Sequence, residues 1–393
     1  MIPIMSSKRK SKTITTMTKK PPLKKKELSP ESTPNPSLPD DVLITCLARV
    51  SKLYYPTLSL VSKSFRSLLA SPELYKARSL LRRTESCLYV CLHFPPEANA
   101  RWYTLCRKPD LTLVHKKKSS SGNILVPIPS SQSTPPNWTG HAVVGSNIYH
   151  IGGYKENLRS SSVSILDCRS YTWREAPSLK VERMWYPSAS VVDGKIYVAG
   201  GCQDEVSKSS KSMEVFDTKT QIWDYVPIPY LDQYTGWQTK STCIEGKLYL
   251  MIEGKVLAYD PEEGRWDLVE QEMGTNKWFS NCLIENVLYC FYSGVLEWYD
   301  NKVRLWKPIK GLTGLPHGFA TVRFVKLASY GGKMAVFWDT TCEPRSGKKM
   351  VWCAVIALER LNVEEIWGLV EWCDPVLIVP KLTHIENALA VTV

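Results

Sequence analysis

From residue 141 onward, hydrophobic and polar residues alternate in short runs separated by Gly, Asn, Asp or Glu. His141–Gly145 leads into Ile148–Ile151, Ala189–Val192 into Lys195–Ala199, Thr242–Ile244 into Lys247–Met251, and Cys282–Ile284 into Val287–Phe291. A two-residue period of this kind predicts half-buried strands. Asp193-Gly194, Glu245-Gly246 and Glu285-Asn286 fall between paired runs, where a two-residue hairpin turn needs positive φ. Each pair is followed by two more runs. These are Val163–Asp167 with Tyr171–Arg174, Met213–Asp217 with Gln221–Val226, Val256–Asp260 with Arg265–Val269, and Val295–Asp300 with Leu305–Ile309. Four strands make one unit, and every unit carries Asp, five residues, Trp: Asp167 to Trp173, Asp217 to Trp223, Asp260 to Trp266 and Asp300 to Trp306. The tryptophans are 50, 43 and 40 residues apart. A period of that size marks a supersecondary unit stacked on copies of itself, typically a propeller blade.

Four units do not close such a ring. Gly331-Gly332 through Trp338 reads as the second strand of a fifth unit, with Met350–Leu358 and Glu365–Val370 as its third and fourth. Leu88–Phe94 and Trp102–Arg107 are strand-like runs upstream, and Val376–Val379 and Ala388–Val393 lie at the far end. The expected closure joins these halves into a sixth blade. The C-terminal runs give its inner half and the upstream runs its outer half, which removes exposed sheet edges. Residues 108–136, with Lys116-Lys117-Lys118 and many Pro and Ser, read as a long mobile excursion within that blade.

The period changes ahead of the strands. After Pro39-Asp40-Asp41, Val42, Leu43, Leu47 and Val50 recur at three to four residues, and Tyr55-Pro56-Thr57 breaks the run. Leu58, Val61, Phe65, Leu68 and Leu69 form a second helical run. Ser71 is placed to N-cap a third helix, with Pro72 at its first position and Glu73 in its first turn. Three short helices over residues 37–83 bury too little to stand alone.

Charge divides the chain further. Net charge is +12, and residues 1–36 carry nine Lys or Arg against Glu27 and Glu31. That tail is rich in Lys, Ser, Thr and Pro and is expected to be disordered. Lys8-Arg9-Lys10 and Lys24-Lys25-Lys26 suit either a nuclear address or a merely solvated terminus. No apolar run reaches the length of a membrane span, and no hydrophobic region follows the basic residues as in a secretory signal. The 12 cysteines show no Cys-x-x-Cys and are read as buried free thiols in a reducing compartment. The six histidines lack pairing at ligand spacing, so neither metal nor cofactor is expected, and His150 reads as structural.

Two sets of residues resemble known families. The Gly pairs Gly152-Gly153 and Gly200-Gly201, followed by Trp173, Trp223, Trp266 and Trp306, resemble kelch repeats. The third and fourth units have Glu253-Gly254 and Ser293-Gly294 instead, so a different turn geometry is expected there. Leu38-Pro39, Val42, Leu43, Leu47, Leu60-Val61-Ser62-Lys63 and Phe65 resemble an F-box. That motif commonly has Cys where Ser62 stands and Trp where Leu68 stands; both changes keep the helical pattern. With the link Glu85–Pro109, the chain resembles plant F-box/kelch-repeat proteins. The fold this implies is mainly β: a six-bladed kelch-type β-propeller over 84–393, preceded by a small three-helix F-box.

The resemblance implies the substrate-recognition subunit of an SCF-type (Skp, cullin, F-box) E3 ubiquitin ligase. It is a non-catalytic role, located in nucleus or cytoplasm. The F-box would dock a Skp-family adaptor, and through it a cullin-RING complex, using Leu38, Pro39, Val42, Leu43, Leu47, Leu60, Val61 and Lys63. Packing of the unit's own core is an equal reading for Val42, Leu43, Leu47 and Val61. The propeller would hold a target protein; neither membrane nor nucleic acid is expected as partner. A second periodic Trp lies in the connections between blades, at Trp138, Trp185, Trp237 and Trp278, beside Arg183, Tyr186, Tyr234 and Lys277. Aromatic and Arg residues there suit a hot-spot surface, although a repeated Trp also suits framework packing. Arg183, Trp185, Tyr234, Trp237, Lys277 and Trp278 are therefore the target-binding candidates, and the non-repeating Arg183 and Lys277 are the expected specificity residues. Two other roles remain: an adaptor-bound nuclear scaffold that directs no degradation, and an oxidase on a kelch propeller, which would leave the F-box unexplained.

Overall fold

The computed structural model describes residues 38–393 apart from 98–99, 109–120, 130–135, 156–157, 185, 203–211, 230–238, 253–254, 270–274, 279 and 343–344. The described residues form six four-stranded antiparallel sheets, the blades of a propeller, behind a cluster of short helices. Blade one comprises Gly140–Val144, Asn147–Ile151, Val163–Asp167 and Thr172–Ala176. Blade two comprises Ser188–Val192, Lys195–Ala199, Ser212–Asp217 and Ile222–Pro227. Blade three runs Thr239–Ile244, Lys247–Ile252, Lys255–Asp260 and Arg265–Val269. Blade four runs Asn281–Ile284, Val287–Tyr292, Val295–Asp300 and Leu305–Pro308. The first strands of the blades neighbour one another and so encircle the axis.

The Asp-to-Trp spacing has a local cause. Asp167, Asp217, Asp260 and Asp300 each end a third strand, and their Oδ1 atoms accept N–H bonds from the turn that follows, as from Lys219 at 2.8 Å. The N–H groups of Tyr171, Gln221 and Arg304 then bond back to the Asp carbonyls at 2.7–2.8 Å. Those three residues, and Gly264 in blade three, lie at φ of +57° to +63°. The chain thereby reverses and places Trp two residues later, opposite the residue before Asp: Phe216 faces Trp223, Tyr259 faces Trp266, and Tyr299 faces Trp306. Their ring centres are 4.7–5.2 Å apart. Trp223 packs with both blade one and blade two, and its indole N–H reaches the Pro177 carbonyl at 2.8 Å.

The Gly pairs are sites of close approach. A Cβ on Gly153 would stand 2.5 Å from the Asn137 carbonyl oxygen, and one on Gly201 would stand 2.4 Å from that of Met184. The turn at Ser293-Gly294 differs in its length, as expected, since Tyr292 pairs directly with Val295, but it keeps the backbone of the Gly pairs. Ser293 and Gly294 keep positive φ, +50° and +87°, in a tight hairpin, and the Ala320 carbonyl approaches Gly294 as Met184 approaches Gly201. Glu253-Gly254 lies outside the described residues.

The expected closure also needs correction. Blade five is Val325–Tyr330, Lys333–Thr341, Lys348–Arg360 and Ile366–Pro380, with Gly331-Gly332 as its first hairpin turn. Val376–Val379 therefore belongs to its outer strand and not to blade six. Two register shifts break the alternation there, and Pro375 is tolerated because an outer edge strand need not donate at every residue. Blade six takes one strand from the C-terminal end, His384–Thr392, and three from upstream: Ser86–His93, Ala100–Arg107 and Asn123–Pro127. Residues 123–127 are thus a strand within the segment read as an excursion; its three apolar residues are too few to show a period.

Before blade six lie α1 (Asp40–Leu47), a 3-10 turn (Lys52–Tyr54), α2 (Tyr55–Leu58), α3 (Lys63–Ala70) and α4 (Pro72–Leu80). The Ser71 side chain caps α4 through Leu74 N–H at 3.3 Å, as its position predicts. The second helix expected from Leu58 begins only at Lys63, where the Ser62 hydroxyl caps α3 through Phe65 N–H at 3.0 Å, and Tyr55-Pro56-Thr57, read as a break, lies in α2.

Candidate docking surfaces

Antiparallel blades alternate their connections between two faces. First-to-second and third-to-fourth turns lie on one face; second-to-third turns and blade-to-blade connections lie on the other. The helices enter on the first face, where Glu85 and Val393 exchange backbone hydrogen bonds at 2.9 and 3.0 Å. They are held there by polar groups that the helical pattern does not reveal. Arg78 is fully buried and donates to the Val50 carbonyl at 2.8 Å, to Tyr55 Oη at 3.0 Å and to Glu85 at 2.6 Å. Glu85 also accepts from Ser51 Oγ at 2.7 Å and from the Lys52 N–H. The Lys52 ammonium is buried, donates to the Cys168 carbonyl in blade one, and stands 4.6 Å from the Tyr171 ring centre. Burial lowers its pKa. Tyr75 Oη donates to the Arg169 carbonyl at 2.7 Å. Around these bonds Leu47, Leu69, Leu74 and Tyr75 pack with Tyr89, Leu166 and Val391, so helices and propeller share one core.

The side chains proposed to meet an adaptor separate into two groups. Leu38, Pro39, Val42, Leu60, Val61 and Lys63 are exposed, with Leu60 at 77% and Val61 at 63%. Burying apolar side chains of this size is favourable by roughly 1.5–3 kcal/mol each. Leu43 is half-buried against the shared core. Leu47 is corrected: it lies buried in that core, where α1 packs against α3 and α4.

The expected target-binding residues fare differently on the opposite face. Arg183 is corrected from specificity residue to framework. It is 0% exposed; its Nε donates to Glu214, also 0% exposed, at 2.9 Å, and its Nη1 to the Gly200 carbonyl at 2.7 Å. The fork of donors ties the connection between blades one and two to the Gly200-Gly201 turn. Lys277 is likewise engaged. It pairs with Glu297 and lies 5.2 Å from the Trp306 ring centre, with 18% of its side chain exposed. Trp278 is 2% exposed in the core between blades three and four. Trp185, Tyr234 and Trp237 lie outside the described residues. The surface that is exposed on this face includes Tyr186, at φ +57°, and Phe324, 81% exposed before the first strand of blade five. Sequence reasoning passed over Phe324 because nothing periodic marks it.

His150 is buried with His141, Trp102 and Trp173, ring centres 4.8–5.3 Å apart, and burial pushes its pKa well down. The thiols of Cys87, Cys106 and Cys168 are pushed up to about 12 by burial and are protonated at neutral pH. Cys46, by contrast, is exposed, so the reading of the cysteines as buried does not extend to it.

Comparison with known proteins agrees with this arrangement. The F-box domain family matches residues 36–77, and the FKB95 kelch-repeats domain family matches residues 102–377. The Arabidopsis thaliana F-box/kelch-repeat protein At4g39570 is 57% identical over 373 residues, covering 93% of each chain. At4g39550 from the same organism, also an F-box/kelch-repeat protein, is 53% identical over 386 residues, covering 94% of this chain and 97% of its own. At5g51250, another, is 54% identical over 359 residues, covering 88% and 96%. Identity above one half along nearly the whole of both chains places this protein in the F-box/kelch-repeat family.

Proposed function

We propose that this protein is the substrate-recognition subunit of an SCF-type ubiquitin ligase. F-box proteins of this composition serve generally as substrate adaptors in such complexes. The F-box docks a Skp-family adaptor through Val42, Leu60, Val61 and Lys63, together with Leu38 and Pro39. The propeller captures a target protein on the face away from the helices. The observation that carries this reading is the shared core, which fixes exposed F-box side chains on one face of the propeller, opposite the face where the blade-to-blade connections lie. The protein's contribution is then proximity: a rigid spacer holds the target at a set place relative to a separate ubiquitin-conjugating enzyme.

Proximity labelling in cells tests the reading, comparing the full chain with a chain lacking residues 38–83. Proteins labelled by both should become more abundant when the truncated chain replaces the full one. Labelled proteins whose abundance does not change would instead mark a scaffold that directs no degradation.

A further inference from the structure

Lys52 opens the 3-10 turn between α1 and α2, and it is 4% exposed. Its ammonium meets three elements at once. It donates to the Cys168 carbonyl in blade one and lies 3.5 Å from Tyr89 Oη on the second strand of blade six. It also faces the rings of Tyr171 and Tyr75, 4.6 and 5.4 Å from their centres. Tyr75 belongs to α4, and its own hydroxyl donates to the next carbonyl of blade one, that of Arg169. Two adjacent carbonyls of one turn therefore receive two groups from the helices.

That turn is not interchangeable with its counterparts. Blades one to four each reverse after their Asp, and the residue at positive φ there is Tyr171 in blade one but Gln221, Gly264 and Arg304 in the next three. Of these four, only blade one offers a ring. A cation is drawn to a ring face and repelled by a guanidinium, so this turn suits Lys52 best.

Stability does not account for the lysine. Taking an ammonium out of water costs free energy, and burial holds the Lys52 pKa below its ordinary value. The Cys168 carbonyl does not need it, because Tyr89 Oη already donates there at 3.1 Å. Leu47, Leu69 and Leu74 bury apolar surface with Leu166 and Val391 around it. Apolar contact of that kind is non-directional, and short helices could be turned on it at little cost. A buried ammonium is satisfied only where its partners stand.

We infer that Lys52 is a positioning residue: its ammonium, seated among Cys168, Tyr89, Tyr75 and Tyr171, selects the single orientation in which the F-box helices lie on the propeller. Its consequence for a ligase rests on the function proposed above, because the place where a target is held follows from that orientation. The seat itself does not depend on that function.

Two thiols report on it. Cys87 and Cys168 are buried in the core that helices and propeller share, close enough to Lys52 for their charge to act on it. Cys353 is buried elsewhere, between blades five and six. The test is alkylation of the full-length protein by N-ethylmaleimide, followed cysteine by cysteine with mass spectrometry, with melting curves and adaptor binding on the same samples. Lys52→Met keeps most of the side chain's length and removes its charge. It should melt at the wild-type temperature or above, and bind adaptor within about twofold of wild type, since the exposed F-box side chains are untouched. Cys87 and Cys168 should react about tenfold faster or more, as helices without a fixed seat lift away, while Cys353 keeps its wild-type rate. Lys52→Arg keeps the charge and should leave all three thiols protected. A lowered melting temperature, or Cys353 opening in step, would make Lys52 a stabilising group and overturn the inference. Full protection of Cys87 and Cys168 in Lys52→Met, or equal opening in Lys52→Arg, would overturn it too. Absence of adaptor binding by the wild type would sink the ligase reading alone and leave the thiol result standing.

Discussion

At the scale of single residues, Arg183 shows how a break in a repeat can mislead. A lone Arg among periodic Trp suggests a specificity contact, because the repeat needs none. Burial decides otherwise: the guanidinium and the Glu214 carboxylate exclude water together, and Lys180 N–H adds a bond at 2.6 Å to the same carboxylate. Arg183→Ala leaves Glu214 buried and unpaired, which costs about 3–5 kcal/mol. Chemical denaturation should therefore show a markedly lower midpoint, and adaptor binding and target capture should fail together on warming. Wild-type stability with selective loss of capture would restore the specificity reading. Lys52, Arg78 and Glu85 were equally hidden in the sequence. In a helical run they look like solvated charges, and only the fold brings Glu85, seven residues beyond Arg78, back onto the loop at Ser51 and Lys52.

At the scale of elements, the blades were legible and their ends were not. Alternation, turn dipeptides and the Asp-to-Trp spacing locate the strands of blades one to four, since each signal arises inside one hairpin. Blade five hides its length behind bulges and Pro375, and blade six hides a five-residue strand in a polar stretch, so the division of strands at closure could not be read. Glycines can be ranked by the same local physics. Gly201 and Gly246 both have positive φ, +72° and +77°, but only Gly201 has backbone within 2.4 Å of a Cβ. Gly201→Ala should cost about 3 kcal/mol or more, combining left-handed strain with a backbone clash, and Gly246→Ala only about 1–2 kcal/mol. Equal thermal shifts for the two would show that the Met184 connection yields freely.

At the scale of the whole molecule, the account turns on two faces held by one core. The sequence resemblance indicated which segment meets an adaptor. It did not show that Leu47 and Tyr75 are buried in the core shared with the propeller while Leu60 and Val61 remain outside, because a short helix shows the same apolar spacing for either environment. The arrangement makes the helices an extension of the propeller and not a module on a tether. The most direct test is binding of a purified Skp-family adaptor to the full-length protein and to a Leu60→Glu, Val61→Glu double variant, with melting curves for both. The account predicts a one-to-one complex for the wild type, a loss of about a hundredfold in affinity or more for the variant as two charges enter an apolar interface, and the same melting temperature. No binding by the wild type, or undiminished binding by the variant, would contradict it.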